Sequence, residues 1–114
     1  MSERNNRVFL IGHLGADPEI KETTTGKKLV HLKLATNDHY LNGQGERVTE
    51  TQWHNLVFWA GLAERAGAEL EKGAEVSVEG KISYRKYIDK DTIQRAVTEI
   101  TVLEFTLIRQ ARKT

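Results

Sequence analysis

Residues 51–66 constrain the fold more than any other part of the chain, because the spacing of their apolar side chains changes in the middle. Up to residue 59 the side chains alternate with a period of two, which predicts a β-strand. Trp53 and Trp59 fall on one face of this strand, and Leu56 and Phe58 fall on the other. We expect the second face to pack on a core and the two indoles to lie on the surface. Because tryptophan is usually well buried, core burial of both is the alternative.

A short amphipathic helix is predicted directly after this strand. Leu62, Ala66 and Leu70 recur every four residues with charged residues between them, as on the apolar face of a helix. Lys72 and Gly73 are expected at its end, since a cation favours the last turn and glycine the position beyond it.

Four further strands are predicted from the same alternation of apolar and polar residues. They cover residues 7–11, 29–37, 75–87 and 93–108. In the last of them the apolar residues change parity after Val102, which is typical of a β-bulge. Gly12, Gly15 and Gly80 indicate bends or close approaches of the backbone. The polar segment 38–50 is predicted to be a loop, and it is long for a hairpin connection.

The predicted order is three strands, one helix and two strands. At 114 residues the chain has room for one domain. This order favours an all-β OB-fold, a five-stranded Greek-key barrel of a kind that binds oligonucleotides or oligosaccharides. An SH3-like barrel is the alternative, but its strands are shorter and it lacks the helix. We therefore predict an OB-fold domain over residues 1–108 and a short basic end over residues 109–114.

The composition argues against catalysis and against bound metal. There is no cysteine, which excludes disulfides and thiolate metal sites and fits a cytoplasmic protein. The four histidines are not spaced as zinc ligands, and neither a phosphate-binding glycine loop nor a nucleophile motif is present. No apolar run approaches the ~18 residues of a membrane span. The sequence therefore predicts a binding protein with no cofactor, no metal and no membrane partner.

The distribution of charge indicates a polyanionic partner, although the net charge is only +1. Residues 81–95 hold five basic and two acidic side chains, whereas residues 64–80 hold two basic and five acidic ones. A basic hairpin near exposed aromatic side chains suits single-stranded nucleic acid, whose bases stack and whose phosphates need cations. A solvated charged surface is the alternative. A sugar-binding OB domain would use the aromatic residues but would not need the basic hairpin.

Three segments of the sequence resemble the bacterial and mitochondrial single-stranded DNA-binding proteins. They are NRVFLIGHLGADPEIKETTTGKKLVHLKLAT, TQWHNLVFWAGLAERA and KGAEVSVEGKISYRKYIDKD, and they occur in the family's order. The resemblance implies a homotetramer, with a dimer as the alternative. It also implies binding of single-stranded DNA with little sequence preference, which protects the DNA in replication, recombination and repair. It also implies a cytoplasmic, nucleoid-associated location. A primosomal replication-restart module built on the same fold is the alternative, with protein–protein contacts as its main role.

The resemblance also implies roles for individual residues. The family's base-stacking positions correspond to Tyr40, Trp53, Trp59 and Tyr87. Its basic positions along the DNA correspond to Arg7, Lys21, Lys72, Arg85 and Lys86. To these the outward parity of the second strand adds Lys33. The family's subunit contacts correspond to His54 and to the first strand, with Val8 and Leu10.

The sequence departs from the family pattern in three places. Gly61 stands where the family often has lysine, so one phosphate contact is expected to be missing. The turn at residues 89–92 lacks the usual glycine, so this hairpin is expected to differ in length or mobility. The chain ends at ARKT, without the acidic tail through which bacterial members recruit replication and repair enzymes. That end indicates either a cut at the domain boundary or a tailless organellar, plasmid or phage member.

Overall fold

The computed structural model describes residues 5–111, which form six strands and one helix. In chain order these are β1 (Val8–Leu14), β2 (Lys21–Glu22), β3 (Lys28–Leu41), β4 (Arg47–Trp59), α1 (Gly61–Glu69), β5 (Glu75–Ile88) and β6 (Gln94–Arg109). The five long strands are those predicted from the sequence, and α1 lies between the third and the fourth of them. β2 adds a two-residue edge to β3. Residues 112–114 of the predicted basic end lie outside the described residues.

The five long strands close into a barrel. Their order around it is β1-β5-β6-β4-β3, and a short pairing between β1 and β3 completes the ring. The pairings are antiparallel except for that between β4 and β6, which is parallel at Leu56↔Ile100 and Val57↔Thr101. A closed five-stranded barrel with one helix is the architecture of an OB-fold, so the predicted fold class is confirmed.

Two glycines allow the strands to approach closely where the barrel bends. A Cβ atom at Gly12 would overlap the carbonyl oxygen of Ala35, and one at Gly80 would overlap a carbonyl oxygen of β6. At Gly80 the register of β5 against β6 also shifts, which leaves Leu103 as the extra residue of a bulge. The bulge predicted after Val102 is therefore confirmed. Gly12 and Gly80 are required because any side chain at these positions would collide with the neighbouring strand.

The core fills the barrel and continues under α1. Leu56 and Phe58 are fully buried, so the predicted inner face of β4 is confirmed. The Phe58 ring meets Phe105 of β6 edge to face, with 5.5 Å between the ring centroids. α1 contributes two fully buried alanines, Ala63 and Ala66. The side chains that alternate with this inner set face outward on the barrel wall.

Residues 38–50, predicted to be a loop, are mostly strand. β3 continues to Leu41, β4 begins at Arg47, and the two pair without a break along this length. Only residues 42–46 form the turn, in which the side-chain oxygen of Asn42 accepts two backbone N–H bonds. The prediction was wrong because this part of the hairpin projects beyond the core. Backbone pairing holds it, and few apolar residues mark its strands.

α1 ends earlier than the helical pattern predicted. Its last residue is Glu69, and the backbone of Leu70 is already extended. Gly73 has a φ of 88°, and its N–H donates to the carbonyl of Leu14 at 2.9 Å. This glycine therefore serves the contact between the segment after the helix and the end of β1.

A buried carboxylate connects three strands of the barrel wall. Glu99 on β6 is 7% exposed, and it accepts bonds from Nε and Nη2 of Arg85 on β5 at 3.4 and 2.8 Å. Its Oε2 also lies 3.5 Å from Nε2 of His31 on β3. The hydrogen bond from Arg85 holds the pKa of the Glu99 carboxyl below its usual value.

Replacing Gly12 with alanine should destabilise the barrel by about 1–3 kcal/mol, because the added methyl forces the strands apart. The control is Gly43→Ala, since nothing lies within 4 Å of a Cβ atom at Gly43. It should leave the free energy of unfolding unchanged or slightly higher. Urea unfolding at one protein concentration measures both. Equal values would show that the barrel adjusts at Gly12 without cost.

Glu99→Gln should make stability less dependent on acid pH. A carboxyl whose pKa is lower in the folded than in the unfolded state stabilises the fold above the unfolded-state value. That contribution disappears as the pH falls through the folded-state pKa. From about pH 6 to about pH 3, the free energy of unfolding should therefore fall less steeply in Glu99→Gln than in the parent. Glu22→Gln, at an exposed carboxylate, is the control, and equal slopes in Glu99→Gln and the parent would contradict the prediction.

Candidate nucleic-acid interface

The outward side chains of β2, β3, β4, β6 and β5 form one continuous surface, which we name the aromatic face. The strand register makes it continuous, because His31 lies opposite Val57, Val57 lies beside Thr101, and Thr101 lies opposite Lys81. The residues of the aromatic face used below are Lys21, His31, Lys33, Trp53, Trp59, Arg85, Tyr87 and Glu99.

Both indoles lie at the surface of the aromatic face. Trp53 is 56% exposed and Trp59 is 40% exposed, so neither belongs to the core. Val57 lies between them on the same side of β4, and it is only 3% exposed. The two rings therefore lie on either side of the buried Val57, and their π surfaces are open to solvent.

Trp53 rests against the chain that follows β1. A Cβ atom at Gly15 would lie 2.8 Å from Cζ3 of the indole, so glycine leaves room for the ring. Beside it is an open hollow of about 490 Å³, lined by Gly15, Ala16, His31, Leu32, Lys33 and Trp53. The indole is thus supported from one side and faces a hollow with basic residues at its rim.

Two lysines stand beside the indoles. Lys33 lies opposite Asn55, two residues along β4 from Trp53. Lys21 lies opposite Leu29, which in turn lies opposite Trp59. No ion pair within the described residues involves Lys33. Lys21 has one weak, exposed ion pair, in which its Nζ lies 4.0 Å from Oε1 of Glu19. Both ammonium groups are therefore available to an anion near the rings.

The aromatic face continues across β6 to Arg85 and Tyr87 on β5. Tyr87 is 44% exposed, and the guanidinium carbon of Arg85 lies 5.6 Å from its ring centroid. The guanidinium of Arg85 is a permanent cation, and its hydrogen bond with Glu99 raises its pKa further. A third aromatic platform with a flat cation beside it thus lies on the same surface as the indoles.

Four of the predicted binding residues lie away from this face. Tyr40 is on the opposite side of the β3–β4 ladder from the indoles, because its parity on β3 differs from that of Lys33. Lys86 is on the side of the β5–β6 hairpin opposite to Arg85 and Tyr87. Lys72 follows α1, and Arg7 pairs with Glu79 at 2.8 Å at the start of β1.

The three residues predicted for subunit contacts line one hollow of about 500 Å³. Val8 and Leu10 are half-buried against the core, and Nε2 of His54 lies 2.9 Å from Oγ1 of Thr36. The exposed apolar side chains of β1 are the alternate ones, Phe9 and Ile11, at 64% and 50%.

Sequence reasoning missed two members of the aromatic face, His31 and Glu99. His31 shares its parity on β3 with Lys33, and this pattern was available in the sequence. Glu99 is an acid within an apolar strand that follows a basic one, and this contrast was available in the sequence. Neither pattern reveals that these two side chains meet across β4.

The described residues contain no group of three or more acidic, histidine or cysteine side chains that could hold a metal ion. Nor does any helix in residues 5–111 have the length and apolarity to cross a membrane.

The sequence is similar to that of known single-stranded DNA-binding proteins. The Single-strand binding protein family matches residues 5–108. The single-stranded DNA-binding protein of Neisseria meningitidis serogroup A is 40% identical over 103 residues, or 90% of this chain. That of Xanthomonas campestris pv. campestris is 36% identical over 108 residues, or 95% of this chain. This chain spans 59% and 63% of the lengths of these two relatives.

Two solved structures share the fold. A Plasmodium falciparum SSB in complex with ssDNA matches with a TM-score of 0.79 and 30% identity, over 96% of this chain and 98% of that one. A deletion mutant of the single-stranded DNA binding protein from Thermus aquaticus matches with the same TM-score and identity, over 91% of this chain and 50% of that one. With the family match covering almost all of the described residues, this chain belongs to the single-strand binding protein family.

Proposed function

We propose that this protein binds single-stranded DNA with little sequence preference and so protects it during replication, recombination and repair. One observation carries the proposal: two half-exposed indoles stand on one strand of the barrel wall, with lysines beside them. A single strand offers unpaired bases, and stacking on an aromatic side chain contributes about 1–3 kcal/mol per base. Every base has a π face, so this mode of binding is tolerant of sequence.

The proposed path of the DNA begins on the aromatic face and continues around the barrel. Bases stack on Trp53, Trp59 and Tyr87, while Lys21 and Lys33 neutralise phosphates. The four predicted residues that lie elsewhere contact the strand as it wraps: they are Tyr40, Arg7, Lys72 and Lys86. A Plasmodium falciparum SSB of the same fold has been solved in complex with ssDNA, which supports single-stranded DNA as the ligand.

We further propose that the protein self-associates through β1 into a homotetramer. One edge of β1 pairs with β5, whereas the other pairs with β3 only at His13 and Leu14. An unpaired strand edge is a template for a second copy, and Phe9 and Ile11 add exposed apolar surface on its outer face. Edge pairing and face packing are two self-complementary contacts, which together generate a closed tetramer.

The residues predicted for subunit contacts, Val8, Leu10 and His54, line a hollow on the inner side of β1. In this proposal they lie behind the strand, and its outward side chains make the contact with a second copy. We propose that the assembled protein acts without catalysis, bound to chromosomal single strands in the cytoplasm.

The function is tested by tryptophan fluorescence during titration with oligo(dT), at low and at high salt. Bases stacked on Trp53 and Trp59 should quench the emission. Affinity should fall as salt rises, because each neutralised phosphate releases counterions. Binding without any change in emission would exclude the indoles as stacking platforms, and absence of binding would reject the function.

Replacing Trp53 or Trp59 with alanine should weaken oligo(dT) binding about tenfold or more per protomer, which corresponds to ~1.4 kcal/mol. The free energy of unfolding should change little, because both rings are exposed. Tyr84→Ala is the control, since Tyr84 is 77% exposed on the side of β5 opposite Arg85. Anisotropy titrations measure all three, and unchanged affinity in both tryptophan variants would contradict the stacking role.

Replacing Phe9 and Ile11 together with aspartate should reduce the molar mass in solution, because charges cannot be buried where the proposed contact forms. The variant should still fold, since both side chains are exposed. Ile88→Asp, at a side chain that is 70% exposed in another part of the barrel, is the control and should keep the parent mass. Light scattering after size exclusion measures the masses. A double variant that retains the parent mass would reject the β1 contact.

A further inference from the structure

Glu99 places a negative charge in the middle of a surface that is proposed to bind a polyanion. It lies on β6 between β4, which carries the indoles, and β5, which carries Arg85 and Tyr87. A free carboxylate there would repel phosphate. Its presence on the aromatic face therefore needs a reason of its own.

The contacts of Glu99 show how its charge is used. Arg85 directs one edge of its guanidinium, Nε and Nη2, at the two carboxylate oxygens. The side chain of Glu99 is 9% exposed, whereas that of Arg85 is 52% exposed. The carboxylate therefore lies beneath, and the flat guanidinium covers it from the solvent side. This forked pairing fixes the orientation of the guanidinium, which a single contact would leave free.

The other polar side chains near Glu99 carry no permanent charge. From β3, His31 approaches to 3.5 Å, and it is charged only when protonated. From β5, Ser83 lies directly opposite Glu99, and its hydroxyl is 3.2 Å from that of Thr101. Arg85 is thus the permanent cation that balances Glu99.

We propose that Glu99 is a positioning residue that holds Arg85 as a charge-balanced stacking plane beside Tyr87 and keeps phosphates away from the centre of the aromatic face. This inference rests on the proposed function, since it concerns how a single strand lies on that surface. It assigns Arg85 to a base and leaves the phosphates to lysines such as Lys33.

Salt dependence separates these two roles. A cation that neutralises a phosphate contributes about −0.7 to the slope of log affinity against log salt for single strands. Arg85 is already balanced by Glu99, so its contact with a base adds nothing to the slope. Glu99→Gln leaves Arg85 unbalanced and able to neutralise a phosphate, so this variant should have a slope steeper by about 0.7.

The experiment measures this slope with oligo(dT) for the parent, Glu99→Gln and the charge-balanced double variant Arg85→Ala/Glu99→Gln. The double variant should keep the parent slope but bind more weakly, because a stacking plane is lost. Lys33→Ala calibrates the measurement and should give a slope shallower by about 0.7. Circular dichroism confirms that each variant is folded, and the double variant decides the question if Glu99→Gln alone does not fold.

Two results would overturn the proposal. A double variant with a slope shallower than that of the parent by about 0.7 would show that Arg85 neutralises a phosphate despite Glu99. A folded Glu99→Gln variant with the parent slope would show that Glu99 does not restrain Arg85. Failure of the parent protein to bind oligo(dT) at all would instead reject the proposed function, so the two failures are distinguishable.

Discussion

The structure depends on one strand that serves the core and the surface at once. β4 directs Leu56 and Phe58 into the barrel, where they are fully buried, and presents Trp53 and Trp59 on the outside. Because the backbone of a strand is rigid and its side chains alternate, packing of the inner pair fixes the orientation of the outer pair. The core thus pre-organises the indoles, so the proposed stacking of a base on them would cost less conformational entropy.

The aromatic face combines two kinds of positive charge. Lys33 is exposed and carries no ion pair within the described residues, so water and counterions surround its ammonium group. Arg85 is oriented by a buried carboxylate and lies beside an aromatic ring. A single strand presents charge along its backbone and flat apolar surface at its bases. The face contains a matching partner for each.

The sequence was sufficient for the parts of the structure that a buried side chain controls. The inner face of β4, the bulge near Leu103 and the close approach at Gly12 all follow from apolar parity or from a glycine within a strand. It was insufficient where backbone pairing acts without burial, so the strand at residues 38–50 was predicted to be a loop. It also missed the meeting of His31 with Glu99, because two residues 68 positions apart become neighbours only when β3, β4 and β6 align.

The hairpin of β3 and β4 extends beyond the barrel, so its length is independent of the packing of the core. Residues 37–41 at the end of β3 are all exposed, so this part of the strand carries no core packing. A paired insertion or deletion here changes the reach of the arm while leaving the core intact. Under the proposed function, the length of single strand that each protomer covers can therefore change at little cost to folding, whereas the packing inside the barrel stays constrained.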